Sequence, residues 1–196
     1  MIVLAIDTAL DACSVAAIED DDMRAVQSER MARGQAERLA PMVRDVMAAA
    51  GIRADRIDRV AVTVGPGSFT GVRVGLAFAR AFALAIGKPC LGVPTLEALA
   101  LGESEEGLRA ALIETQGATY LALYENGTPV LAPQAAERAE AAPLLEQAAR
   151  GQPFWINEHD AIVDVVALAR RAATLDPQLY PPDPLYLRSH GAKLPS

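Results

Sequence analysis

The chain has 196 residues, 52% hydrophobic and 22% charged, with a net charge of -7. That balance marks a globular protein rather than a disordered one, long enough for one large domain or two small ones. An acidic chain repels phosphate backbones, which argues against tight unaided binding of RNA or DNA, and Cys13 and Cys90 alone are too few for a disulfide framework or a zinc site.

Ile2 to Ile6 and Cys13 to Ile18 are apolar runs joined by a short turn after Asp7-Thr8, the pattern of a hairpin. Beyond the acidic turn Glu19 to Asp22, the alternation from Met23 to Glu29 fits a third strand. From Gln35 the apolar residues Leu39, Val43, Val46, Met47 and Ala50 recur at helical spacing until Gly51 stops the run. Pro41 lacks a backbone donor, so this helix either kinks or begins there, and Met42 and Asp45 lie off its main apolar stripe. The start of the chain lacks the basic region and apolar core of a signal peptide, and Arg73 and Arg80 interrupt the longest apolar run. The expected setting is the cytoplasm, away from membranes.

Val60 to Gly87 reads as a strand, a tight Gly65-Pro66-Gly67 turn, and a long helix opening at Ser68 or Phe69. Two readings of the turn stand side by side. Gly65, Gly67 and Ser68 could gather backbone N–H groups around a phosphate at the helix N-terminus. Alternatively Ser68 caps the helix and the glycines supply the bend; no lysine follows as in a Walker loop. With residues 100° apart, Val74, Phe78, Phe82 and Ala85 share one side with Gly71 and Gly75, a stripe suited to packing on a sheet. The opposite side carries Phe69, Val72, Leu76 and Ala83, broken only by Arg73 and Arg80. A helix apolar all round is covered on both sides, so this second side is expected to be covered either by the rest of the domain or by another protein.

A short strand, Cys90 to Val93, and a helix opening at Pro94-Thr95 complete a first unit, residues 1–102. Residues 103–196 form a shorter second one. Gly102 to Gly107 reads as a linker, and Leu108 to Glu114 and Thr119 to Tyr124 as strands before an Asn126-Gly127 turn. Residues 132 to 150 read as helix and loops, Ala161 to Ala173 as a helix, and the prolines from 177 onward as an irregular tail.

Several stretches resemble the TsaB family, also called YeaZ. They are Ile6-Asp7-Thr8-Ala9, Ala36-Glu37-Arg38-Leu39-Ala40-Pro41, Gly65-Pro66-Gly67-Ser68-Phe69-Thr70-Gly71-Val72-Arg73, Pro94-Thr95-Leu96-Glu97-Ala98-Leu99, and Pro184-Leu185-Tyr186-Leu187-Arg188. The resemblance implies an α/β, actin-like and Hsp70-like ATPase fold (ASKHA, ribonuclease H-like) with a shortened second subdomain. It also implies a role in making N6-threonylcarbamoyladenosine beside the anticodon of tRNAs that read codons beginning with A. In that family the catalytic transferase is a paralogue, TsaD, and the TsaB-like chain is its non-catalytic partner, joined through helices of the first subdomain. An ATPase, TsaE, binds the pair, and TsaC makes the threonylcarbamoyl adenylate. The catalytic paralogue resembles Gly-Val-Asn-His-Leu-Glu-Gly-His where this chain has Gly92 to Leu99, so its two metal-binding histidines fall on Thr95 and Leu99. Neither is a histidine-like ligand, and no metal is expected. Gln35 stands where many relatives have histidine, and Glu114-Thr115-Gln116 where they have Asp-Ala-Arg.

Two functions from different classes follow. The first is a scaffold without a cofactor, whose helical face of Met42, Asp45, Phe69, Val72, Arg73, Leu76, Ala79, Arg80 and Ala83 docks the paralogue, or a second copy when alone. It would reach tRNA only through the complex. The second is an ATP-dependent transferase or a peptidase, using Asp7, Thr8 and Ser68 with magnesium-ATP or a general base. The plain reading of Asp7 is a cap on the hairpin turn, and no residue in the sequence nominates itself as base for Ser68.

Overall fold

The computed structural model describes residues 1–101, 107–115, 118–157 and 159–187. Gly102 to Glu106 of the expected linker, Gln116, Arg188 and His190 lie outside the described residues.

Strand β1 (Ile2–Asp7) is buried along its whole length because it occupies the middle of a five-stranded sheet. β2 (Ala12–Glu19) and β3 (Asp22–Arg30) follow it as antiparallel neighbours. β4 (Arg59–Thr63) and β5 (Cys90–Val93) lie parallel on its other side, giving the order β3-β2-β1-β4-β5. The parallel strands are reached through two helices, α1 (Gln35–Ala50) and α2 (Phe69–Ile86). Pro41 neither starts nor ends α1, which runs on from Gln35 with the proline inside it.

The second sheet repeats the first four positions of this order. β6 (Leu108–Glu114), β7 (Thr119–Glu125) and β8 (Thr128–Ala136) form an antiparallel meander, and β9 (Phe154–Ile156) runs parallel to β6 on the other side. Two of these strands escape the sequence reading. β8 contains Pro129 and Pro133, which an edge strand tolerates because one side of its backbone is unpaired, and β9 has three residues. α4 (Arg138–Ala149) covers the outer face of this sheet through Ala141, Leu145 and Ala149.

Between the two sheets lie α3 (Thr95–Ala100) and α5 (Val165–Thr174), in one core with Val3, Ala5, Ala61 and Leu91 from the first sheet and Ala111 and Ala122 from the second. α5 begins at Val165 rather than Ala161 because the Asp164 carboxylate accepts from the N–H groups of Val166 and Ala167 at 2.9 and 3.1 Å, an N-cap. Arg171 of α5 donates to Glu97 of α3 at 2.9 Å. On the other face of the first sheet, α1 and α2 pack over Leu4, Ile6, Val15, Val60 and Val62. Burial pushes the thiols of Cys13 and Cys90 up to about 11, so both stay protonated at neutral pH.

By length and hydropathy α2 is apolar enough to cross a membrane, its two arginines notwithstanding, which corrects the expectation that no stretch of the chain approaches a span. Here its inner side is seated on the first sheet.

Candidate functional site

The turn from β4 to α2 rests directly on the turn that follows β1. Ser68 N–H donates to the Ala9 carbonyl at 2.7 Å, and Thr8 Oγ1 donates to the Gly71 carbonyl at 2.7 Å. A Cβ on Gly67 would collide with the Ala9 carbonyl, and one on Gly71 with the Thr8 carbonyl. The Ser68 hydroxyl accepts from Gly71 N–H at 3.2 Å, capping α2. Gly65 donates its N–H to Thr95 Oγ1 at 3.1 Å. The glycines thus let two backbone turns touch, and the N–H groups of Gly65, Ser68 and Gly71 are spent on acceptors within the chain. Gly71→Ala should lower stability by about 2 kcal/mol, since a methyl forced against backbone is overpacked; chemical unfolding reads the change.

Asp7 is fully buried at the end of β1. Its Oδ1 accepts from Thr63 Oγ1 at 2.6 Å and from Ala9 N–H at 3.1 Å, while Oδ2 meets no hydrogen-bond partner. Burial is the main cause that pushes its carboxyl up from 3.8 to about 6, against the two bonds, which lower it. The folded chain therefore keeps a proton where the unfolded chain has lost it, and stability falls as pH rises from about 4 to about 6. Asp7→Asn should gain on the wild type over that window by up to about 3 kcal/mol, measured as the difference in urea unfolding at pH 4 and pH 7.

Ser68 and Gly67 also line a cleft of about 260 Å³ between the sheets, with Asp11, Arg30, Glu114 and His159 on its walls. His159 Nδ1 lies 3.2 Å from Glu114 Oε2. The sequence offered no base for Ser68, and the fold brings this histidine into the same cleft. No hydrogen bond joins Ser68 and His159 among the described residues.

The largest correction concerns α2. Val72, Leu76, Ala79 and Ala83 are buried against the first sheet, as is Met42 of α1, so none of the five belongs to a free face. Small residues at 71, 75, 79 and 83 let the helix backbone approach the strands, and the aromatic stripe that was expected there is displaced to the flank. Phe78 and Phe82 stack there at 5.9 Å, half-buried with Val74. The outward side consists of Phe69, Thr70, Arg73, Ala77, Arg80, Ala81, Leu84 and Ala85. Phe69 and Leu84 are 62% and 84% exposed, and Arg73 lies over the Phe69 ring at 3.6 Å. Asp45 is exposed on α1, with its carboxylate 3.0 Å from Arg44 and 3.8 Å from Arg38.

A central strand flanked by an antiparallel pair and a parallel pair, repeated without its last strand in a second sheet with helices between, defines an actin-like fold of the ribonuclease H-like class. What distinguishes this example is an apolar helix face turned to solvent. The sequence family described as TsaD, tRNA N6-adenosine threonylcarbamoyltransferase, matches residues 22–139. The tRNA threonylcarbamoyladenosine biosynthesis protein TsaB of Escherichia coli K12 is 40% identical over 134 residues, 65% of this chain. The matched stretch spans 58% of that protein's own length. An uncharacterized protein of Mycobacterium tuberculosis is 35% identical over 163 residues, 82% of this chain and 74% of that one. YeaZ from Pseudomonas aeruginosa superposes with a TM-score of 0.75 at 27% identity, covering 95% of this chain and 99% of that one. The chain belongs to the TsaB (YeaZ) family.

Proposed function

We propose that this chain is a non-catalytic subunit in the making of N6-threonylcarbamoyladenosine on tRNA, acting in the cytoplasm by docking a TsaD-like transferase through the outward side of α2. Family membership supports the pathway, and the apolar, arginine-bearing face with Leu84 in the open supports the mode of action. Surfaces of that composition are unusual on a chain that stays alone. Without the transferase the same face joins two copies of the chain. A TsaE-like ATPase binds the assembled pair, and tRNA is reached through the complex.

The division of labour rests on the positions that match the paralogue's histidines. Thr95 spends its hydroxyl on Gly65 N–H, and Leu99 is buried in the core between the sheets. Both therefore serve the packing of this chain. The closed turn at Gly67 and Gly71 likewise favours a structural over a phosphate-binding role for Asp7, Thr8, Gly65, Gly67 and Ser68.

A second reading, an enzyme in its own right, draws on Ser68 sharing its cleft with the His159–Glu114 pair. Reconstitution of the tRNA modification separates the two. The scaffold reading expects Ser68→Ala and Asp7→Asn to support full modification and the isolated chain to give no binding heat with magnesium-ATP. Loss of modification in either folded variant, or tight ATP binding, supports the enzyme.

A further inference from the structure

The segment after α5 is fastened to the end of the first sheet from which α2 starts. Gly92 N–H donates to the Tyr180 carbonyl at 2.9 Å, and Leu185 N–H donates to the Val64 carbonyl at 2.8 Å. A Cβ on Gly92 would lie 2.6 Å from the Pro181 carbonyl oxygen, and one on Gly65 would lie 3.1 Å from that of Leu185. Two glycines thus admit the tail backbone, and the tail is held in one place beside the helix.

That fastening delivers two side chains to the outward side of α2. The Asp183 carboxylate lies 3.8 Å from the Arg80 guanidinium, and Arg73 reaches the Tyr186 hydroxyl at 3.4 Å. Arg73 is therefore gripped between the Phe69 ring and Tyr186, both more than half exposed. A shallow groove of about 200 Å³ opens beside them, with Pro66, Phe69, Val72, Leu185 and Tyr186 in its walls. Among the described residues no carboxylate lies within ion-pair distance of Arg73, although the chain as a whole carries a charge of -7.

We propose that the tail is part of the docking surface: Tyr186 and Phe69 fix Arg73 beside this groove, forming a socket for an apolar side chain next to a carboxylate of the transferase-like partner. The inference rests on the reading that the outward side of α2 docks that partner. Continuity supports the assignment, since the socket lies at the N-terminal end of the exposed α2 face, and charge supports it, since Arg73 lacks a carboxylate of its own. Tyrosine and arginine are the residue types that most often carry binding energy at the edge of an apolar patch. Tyr186 positions Arg73 and contributes its ring to the socket wall.

The test titrates the full-length TsaD-family transferase of the same organism with wild-type chain and with Tyr186→Ala, Tyr186→Phe, Arg73→Ala, the Tyr186→Ala/Arg73→Ala double variant and Leu84→Glu. Expected are about tenfold weaker binding for Tyr186→Ala and for Arg73→Ala, with thermal midpoints of the isolated chains unchanged. Tyr186→Phe keeps the ring in the socket wall but removes the hydroxyl that reaches Arg73, so it should weaken binding by less than Tyr186→Ala does, and the double variant should lose less than the product of the two single losses, since the two residues act as a unit. Wild-type affinity in Tyr186→Ala and Arg73→Ala while Leu84→Glu abolishes binding would overturn the socket and leave the α2 face standing. Wild-type affinity in Leu84→Glu would overturn the docking reading, and the socket with it.

Discussion

Leu84→Glu should leave the chain folded and abolish its complex with the transferase-like partner, a loss of at least about 100-fold in affinity. Leu84 is 84% exposed, so a carboxylate there meets water in the free chain and costs its fold almost nothing. In the complex the same carboxylate would be taken from water beside Ala77, Ala81 and the partner, and the Arg80 guanidinium one turn away already faces the Asp183 carboxylate at 3.8 Å. An uncompensated buried charge costs about 3–5 kcal/mol, more than enough for that loss. The homodimer proposed for the isolated chain should disappear in the same variant, because the proposal gives both assemblies one face. Sedimentation of the isolated and mixed proteins reads both effects, and the thermal midpoint of the isolated chain checks that the fold survives.

Leu76→Glu should do the opposite and destroy the fold. Leu76 is buried among Val72, Ala79 and the apolar residues of the first sheet. Losing the leucine and burying a charge together cost about 5 kcal/mol or more, which consumes most or all of the stability of a typical domain. Loss of complex formation in this variant would then report unfolding rather than docking. Far-ultraviolet circular dichroism distinguishes the pair: a cooperative transition for Leu84→Glu and none for Leu76→Glu.

The two leucines show how far the sequence could be read. The strands and helices of the first half were legible because each carries its own period: β-branched runs for β1, β2 and β4, helical spacing for α1, and a Ser68 cap with a glycine stop for α2. Four of the five motifs that suggested the family lie in this half, and the fifth, Pro184 to Arg188, in the tail. The orientation of α2 was not legible. A helix apolar on every side gives no amphipathic contrast, and helical angle alone put Val74, Phe78 and Phe82 on the sheet-facing side with Gly71 and Gly75. The two glycines do bring the helix against Thr8 and Val62, while the aromatic pair lies at the flank. Only Arg73 and Arg80, nearly in line seven residues apart, marked the outward side, and the residues 60–100° away from them were wrongly grouped with them. β8 was hidden by its prolines and β9 by its length. His159 could not be linked to Ser68, since the two stand 91 residues apart in sequence and the cleft that they share is made by packing two sheets.

The glycine turn is the other feature that changed meaning. In sequence, Gly65-Pro66-Gly67-Ser68 could hold a phosphate or bend the chain, and the missing lysine favours the bend. In the fold, its close contacts with Thr8 and Ala9 aim α2 and anchor the tail at Gly65, so one compact junction sets both the helix and the segment beside it.

The most direct measurement is transfer of the threonylcarbamoyl group to tRNA by the reconstituted transferase system, run with no added chain, with wild-type chain and with Leu84→Glu. The scaffold account predicts modification only with the wild-type chain, and background levels with Leu84→Glu although that variant is folded. Full modification without the chain, or restoration by Leu84→Glu equal to the wild type, would contradict it.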